Sequence, residues 1–97
     1  MYVTSREIVP LPGRLQETIA VGSQMIGVMN QKYGSAMATS TELGGNPNKL
    51  WITGFWSSLS DYQSFVESYM SDQELTGTFN MFSSFVGEVQ DQIGQVI

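Results

Sequence analysis

Few side chains in this sequence can do chemistry, and the usual kinds are missing. Cys and His are absent, which removes thiolate and imidazole chemistry and leaves Asp and Glu as the only strong side-chain metal ligands. Zinc and His-ligated haem are excluded, and neither a metal site nor a cofactor is expected. Arg6 stands out, a guanidinium in a strand-like run beside Val3, Thr4, Ile8 and Val9, where it needs a carboxylate, a carbonyl or water. Either it anchors an anionic ligand head at the mouth of an apolar pocket, or it pairs with one of nine acids within the chain or across a dimer interface. The pair carries more weight because such pairs are common. Tyr33, Tyr62 and Tyr69, with Trp51 and Trp56, bring hydroxyl and indole donors next to apolar surface, the combination found in small-molecule pockets, although most of them serve simply as core. Met25, Met29, Met70 and Met81 offer unbranched thioethers that re-pack around ligands of differing shape. On a helical stripe such residues are core by default.

The remaining motifs read as structure. Glu67, Asp72 and Glu74 form a conceivable acid-base or Mg-binding set, yet acids at a helix start favour the macrodipole and are expected here as solvated caps. GGNPN lacks the Lys, Ser or Thr placement of a phosphate loop and precedes a strand, so it is a turn. SSLS has no His or Lys base nearby and no G-x-S-x-G elbow to expose a nucleophile. No residue is assigned a catalytic role.

The elements that position these side chains can be traced along the chain. Tyr2 to Val9 fits a strand stopped at Pro10. Leu15, Ile19, Gly22, Ile26, Met29 and Tyr33 then recur in steps of four and three, one stripe of a helix that opens after Pro12-Gly13 and is capped by Gly34. Gly22 lies on that stripe, which implies close approach to the sheet. Ala36 to Leu43 alternates, the GGNPNK turn follows, and Leu50 to Trp56 completes a hairpin. In that third strand Leu50, Ile52 and Trp56 lie on one side and Trp51 and Phe55 on the other, so both faces are expected to be covered. Ser58 to Asp61 reads as a capping box for a short helix carrying Leu59, Tyr62, Val66 and Tyr69; Ser71 to Glu74 repeats it for a third helix, with Leu75, Phe79, Phe82 and Val86 running to Gly87. The tail from Glu88 to Ile97 fits helix or strand by period and is taken as strand.

The order strand, helix, strand, strand, two helices, strand closes most simply as a ferredoxin-like α+β fold, a four-stranded antiparallel sheet with its helices on one face. The 97 residues make one such domain, and a chain this short buries only about 60 to 65% of its unfolded surface, so pairing with a copy of itself through the bare sheet face is expected. A net charge of −5 repels nucleic-acid phosphates and anionic lipid headgroups, which argues against both partners. No apolar run reaches the roughly 18 residues of a membrane span, and the start has no basic leader, so the cytosol is the default location.

Three features resemble the dimeric α/β-barrel superfamily, and within it the NIPSNAP-like and antibiotic-biosynthesis-monooxygenase-like small domains. REIVPLPGRLQE resembles the NIPSNAP-type opening, an Arg-bearing strand leading to Pro-Gly at the helix start, with Arg6, Pro12 and Gly13 in the matching positions. TELGGNPNKLWITGFWSSLSDY, Thr41 to Tyr62, resembles the segment of Glu, Gly, an Asn-containing hairpin, a strand ending in an aromatic and a Ser-Leu helix start. The order and length of the whole chain complete the likeness. Enzymes of the wider superfamily include cofactor-independent quinol monooxygenases, haem-degrading enzymes and lactone or aldehyde isomerases. Many carry a His shortly after the aromatic that ends the third strand; the nearest position here is Phe65, and imidazole catalysis and the haem-dependent branches are not implied.

The resulting expectation is a cytoplasmic, homodimeric α/β-barrel protein that holds a small, largely apolar ligand, a long-chain acid or keto compound, between sheet and helices. Its ligand-binding residues would be Arg6, Met25, Met29, Tyr33, Trp51, Trp56, Tyr62, Phe65, Tyr69 and Phe79. A cofactor-independent monooxygenase or isomerase of the same superfamily is the first alternative. An assembly domain without a pocket is the second.

Overall fold

The computed structural model describes residues 1–42 and 44–97. The elements are β1 (Tyr2–Pro10), α1 (Leu15–Tyr33), β2 (Ala36–Thr41), β3 (Leu50–Trp56), α2 (Leu59–Met70), α3 (Gln73–Ser83) and β4 (Val86–Gln95). The four strands form one antiparallel sheet in the order β2-β3-β1-β4, a ferredoxin-like α+β fold. Helix or strand was open for the tail; pairing decides it, because Tyr2 through Val9 align with Gln95 through Glu88 and give the tail's backbone groups a ladder to join.

The register fixes which side chains share a face. Thr4, Arg6 and Ile8 stand opposite Gly54, Ile52 and Leu50 on β3 and opposite Ile93, Asp91 and Val89 on β4, so these rows point toward the helices. The core forms there: Ile8, Leu50, Ile52 and Trp56 from the sheet meet Met25, Ile26 and Met29 of α1, Phe65 of α2 and Leu75 and Phe82 of α3. Phe55, on the opposite side of β3, is 49% exposed, while Trp51 on that side is half-buried, its indole donating to Glu42 Oε1 at 3.0 Å. Dryness on both faces of β3 is therefore not a property of the single chain.

Local chemistry accounts for the helix ends. Gly34 takes the left-handed conformation (φ 67°) that closes α1, its N–H donating to Asn30 O. Asn30 then ties α1 to β2, donating from Nδ2 to Met37 O at 2.8 Å and accepting the Met37 N–H at 3.1 Å. Ser58 caps α2 by accepting the Asp61 N–H at 3.1 Å. At α3 the capping residue is Asp72 rather than Ser71: its carboxylate accepts the Glu74 N–H at 3.0 Å, while Ser71 Oγ donates back to Glu67 O at 2.6 Å. Helix α3 also stops at Ser83, short of Gly87. The Ser84 N–H reaches both Asn80 O and Met81 O, the Phe85 N–H turns to Phe82 O, and Leu11 N–H binds Phe85 O at 2.8 Å. That last bond draws the chain into the sheet, so Val86, although in phase with the helix, opens β4 beside Pro10. The second strand ends at Thr41, earlier than expected; Leu43 lies outside the described residues.

Among the described residues no helix is long and apolar enough to cross a membrane.

Candidate functional site

A cavity of about 180 Å³ lies between the helix-side face of β1, β3 and β4 and all three helices. Its apolar wall is built by periodicity. Met25 and Ile26 sit side by side on α1 with Met29 one turn on, Tyr62, Phe65 and Tyr69 repeat at three and four along α2, and Phe79 closes the α3 side. Ile52 and Trp56 form the floor.

Trp56 is held in place by what Gly54 lacks. A Cβ on Gly54 would lie 2.9 Å from the Trp56 Nε1 and 3.0 Å from the Thr4 Oγ1, so only glycine lets the indole fold back along the strand and donate to Thr4 Oγ1 at 3.0 Å. The ring then stacks at a tilt on Phe65, centroids 4.8 Å apart, and meets the Tyr62 ring edge-on at 5.2 Å. An aromatic wall with few free rotamers results.

The rim on the β4 side is polar. Arg6 donates from Nε to Asp91 Oδ1 at 2.7 Å and from Nη2 to Oδ2 at 2.9 Å, a bidentate pair between residues directly opposite in the β1/β4 ladder. This carboxylate holds the guanidinium pKa above its ordinary value, and the guanidinium holds Asp91 below the usual carboxylate range. Burial pushes the Tyr62 phenol up, with Arg6 acting against it, so the hydroxyl stays protonated and able to donate. Arg6 was a choice between ligand anchor and ion pair, and the structure shows the pair.

Eight of the ten expected ligand-binding residues line this cavity: Arg6, Met25, Met29, Trp56, Tyr62, Phe65, Tyr69 and Phe79. The other two stand elsewhere. Trp51 is on the opposite face of the sheet, since its position in β3 alternates with Ile52. Tyr33 meets Phe65 edge-on at 6.1 Å from behind and donates its hydroxyl to Asp72. Met70 and Met81 are 71% and 49% exposed; Met70 borders a neighbouring space of about 200 Å³ that shares Met29, Tyr69 and Phe79 as its wall.

Asp72 is a correction of another kind. Expected as a solvated cap, it is 9% exposed and receives Lys32 Nζ at 2.7 Å as well as the Tyr33 hydroxyl. Lys32 and Tyr33 together hold its carboxyl down to about 2. The group fastens the C-terminus of α1 to the start of α3, and Glu74 joins it from solvent, 2.9 Å from the same Lys32 Nζ. Residues that sequence reasoning missed include Thr4, Asp91 and Gly54. Asp91 could not be found without the strand register, whereas the Gly two residues before a buried Trp was a usable signal.

No family model and no curated protein matches this chain. Solved structures do. An uncharacterised NIPSNAP domain protein from Burkholderia xenovorans superposes with a TM-score of 0.88 at 14% identity, over 100% of this chain and 95% of its own. A NIPSNAP family protein from Agrobacterium tumefaciens gives 0.86 at 16%, over 97% and 90%. A provisionally named antibiotic biosynthesis monooxygenase from Chloroflexus aurantiacus gives 0.69 at 15%, over 98% and 93%. The chain therefore has the ferredoxin-like fold of the NIPSNAP and antibiotic-biosynthesis-monooxygenase-like proteins, as the opening and hairpin motifs implied.

Proposed function

We propose that this chain is a cytoplasmic homodimer that binds a small, largely apolar ligand carrying an acid or keto group, in the cavity between its sheet and helices. One observation carries the reading: a largely apolar space of about 180 Å³, walled by Met and aromatic side chains, has its two charged groups, Arg6 and Asp91, paired at one rim. That volume exceeds the roughly 150 Å³ of an engineered cavity that stays dry and binds benzene, so it suits one or two rings or a short chain. The space of about 200 Å³ behind Met29, Tyr69 and Phe79 gives a longer chain somewhere to go if the flexible Met29 side chain swings. Native mass spectrometry of the purified protein, followed by organic extraction, tests the reading. A co-purifying small molecule is the expected result; an empty protein that also takes up no aromatic or aliphatic probe would end it.

Support for the dimer comes from the bare face, where Phe55, 49% exposed, stands directly opposite Val3, an apolar pair that a second copy would cover. Light scattering should give twice the 10.7 kDa chain mass, and a stable monomer at micromolar concentration would refute it. A second reading, a cofactor-independent monooxygenase, draws on the name of the Chloroflexus aurantiacus neighbour and on the protonated Tyr62 donor at the rim. Oxygen consumption with a panel of hydroquinones tests it.

A further inference from the structure

The cavity's rim holds a paired charge, and the chemistry of the ligand head that such a pair would accept goes beyond the function proposed for the cavity. Arg6 is the one cation lining the cavity among the described residues, and it is not free: its Nε hydrogen and one of its two Nη2 hydrogens are spent on the two Asp91 oxygens at 2.7 and 2.9 Å. The two residues face each other in the β1/β4 ladder, so the pair is set by the sheet and needs no rearranged side chain to form. The guanidinium keeps both Nη1 hydrogens and one on Nη2, and each Asp91 oxygen keeps a lone pair. Tyr62 brings its phenol to the same rim, close enough for both charges to act on it.

We infer that the site selects a neutral head, a ketone or a hydroxyl, and rejects a carboxylate, with Asp91 as the residue that sets this preference. A carbonyl oxygen can accept from the spare Arg6 hydrogens or from Tyr62, and a hydroxyl can also donate to Asp91. A carboxylate reaching the same hydrogens would come to rest beside the Asp91 charge in a partly dehydrated rim, where like charges repel more strongly than in water. Removing that charge without changing the side chain's shape should convert the filter into an anion anchor, because the guanidinium is then left unneutralised.

This rests on the ligand-binding reading, and the test separates the two. Binding of 2-acetylnaphthalene, 2-naphthol and 2-naphthoate, which share a ring and differ at the head, is followed by NMR titration of the labelled protein and of Asp91→Asn. Because Asp91 is half exposed on an edge strand, the variant is expected to fold, and the wild-type ranking stands on its own if it does not. The expected result is at least tenfold weaker binding of naphthoate than of the ketone to wild type, with a tenfold or greater gain for naphthoate in Asp91→Asn and less than a threefold change for the ketone. Naphthoate binding as well as the ketone in wild type, or no gain in the variant, overturns the filter while leaving the ligand-binding reading intact. If no probe binds either protein, the ligand-binding reading falls and takes the filter with it.

Discussion

Two glycines on one helix should respond differently to the same substitution, one gaining stability and the other not. In α1, a Cβ on Gly27 would meet nothing within 4 Å, whereas one on Gly22 would lie 3.0 Å from Leu50 Cδ2 and 3.3 Å from Phe82 Cε2. Replacing either by Ala recovers about 1 kcal/mol of helix propensity. At Gly27 nothing opposes that gain. At Gly22 the methyl must push back Leu50 and Phe82 by a few tenths of an ångström; both are buried, at 1% and 5% exposed, and overpacking of this kind costs about 1 to 3 kcal/mol. Gly22→Ala should therefore fall between neutral and about 2 kcal/mol less stable than wild type, and Gly27→Ala about 1 kcal/mol more stable. For a domain of this size 1 kcal/mol moves the melting temperature by about 4 to 8 °C, so thermal unfolding followed by circular dichroism should separate the variants by at least about 4 °C. Equal melting temperatures would mean that the close contact between α1, β3 and α3 does not limit the packing, and the account of the core given above would be wrong.

Acid should act on the clamp at Asp72. Its carboxyl titrates near 3.8 when unperturbed and is held at about 2 by Lys32 and Tyr33, so it contributes stability above the unfolded value that is lost as pH falls from about 4 through about 2. Urea midpoints measured between pH 7 and pH 2 should fall over that window in wild type and more shallowly in Asp72→Asn; parallel curves would refute the assignment. Trp56→Phe removes the donor to Thr4 Oγ1 and should destabilise the protein by about 1 kcal/mol in chemical denaturation, with loss of the cavity floor seen as at least tenfold weaker probe binding. Unchanged binding would place the ligand elsewhere.

How much of this was legible depended on whether the signal was local. Helix α1 was readable because its stripe repeats over five turns and ends at a glycine that the structure places in the left-handed region. The cavity walls followed from the same periodicity, so Met25, Met29, Tyr62, Phe65 and Tyr69 arrive at one place. The end of α3 was not readable, since Val86 satisfies the helical period and only the hydrogen bond from Leu11 to Phe85 shows why the chain leaves it. Arg6 could be seen to need a partner, but which of the acids answers is a matter of strand register, and Asp91 is 85 residues away in sequence. Trp51 was misplaced in the ligand list because residue type was weighed above strand parity, although alternation with Ile52 already assigned it to the other face.

The strand order also bears on how the molecule comes into being. β1 precedes both of its partners along the chain, yet it occupies the interior of the sheet between β3 and β4, so neither of its edges finds a mate until much later sequence has been made. Closing such long loops is slow relative to helix formation, and α1 can form while β1 waits with both rows of backbone groups unsatisfied. A nascent chain interrupted before β4 presents the Arg6 strand with an open flank, ready to recruit a strand from a neighbouring chain. Until β4 is in place, the open flank of β1 is thus the edge along which one chain can pair wrongly with another.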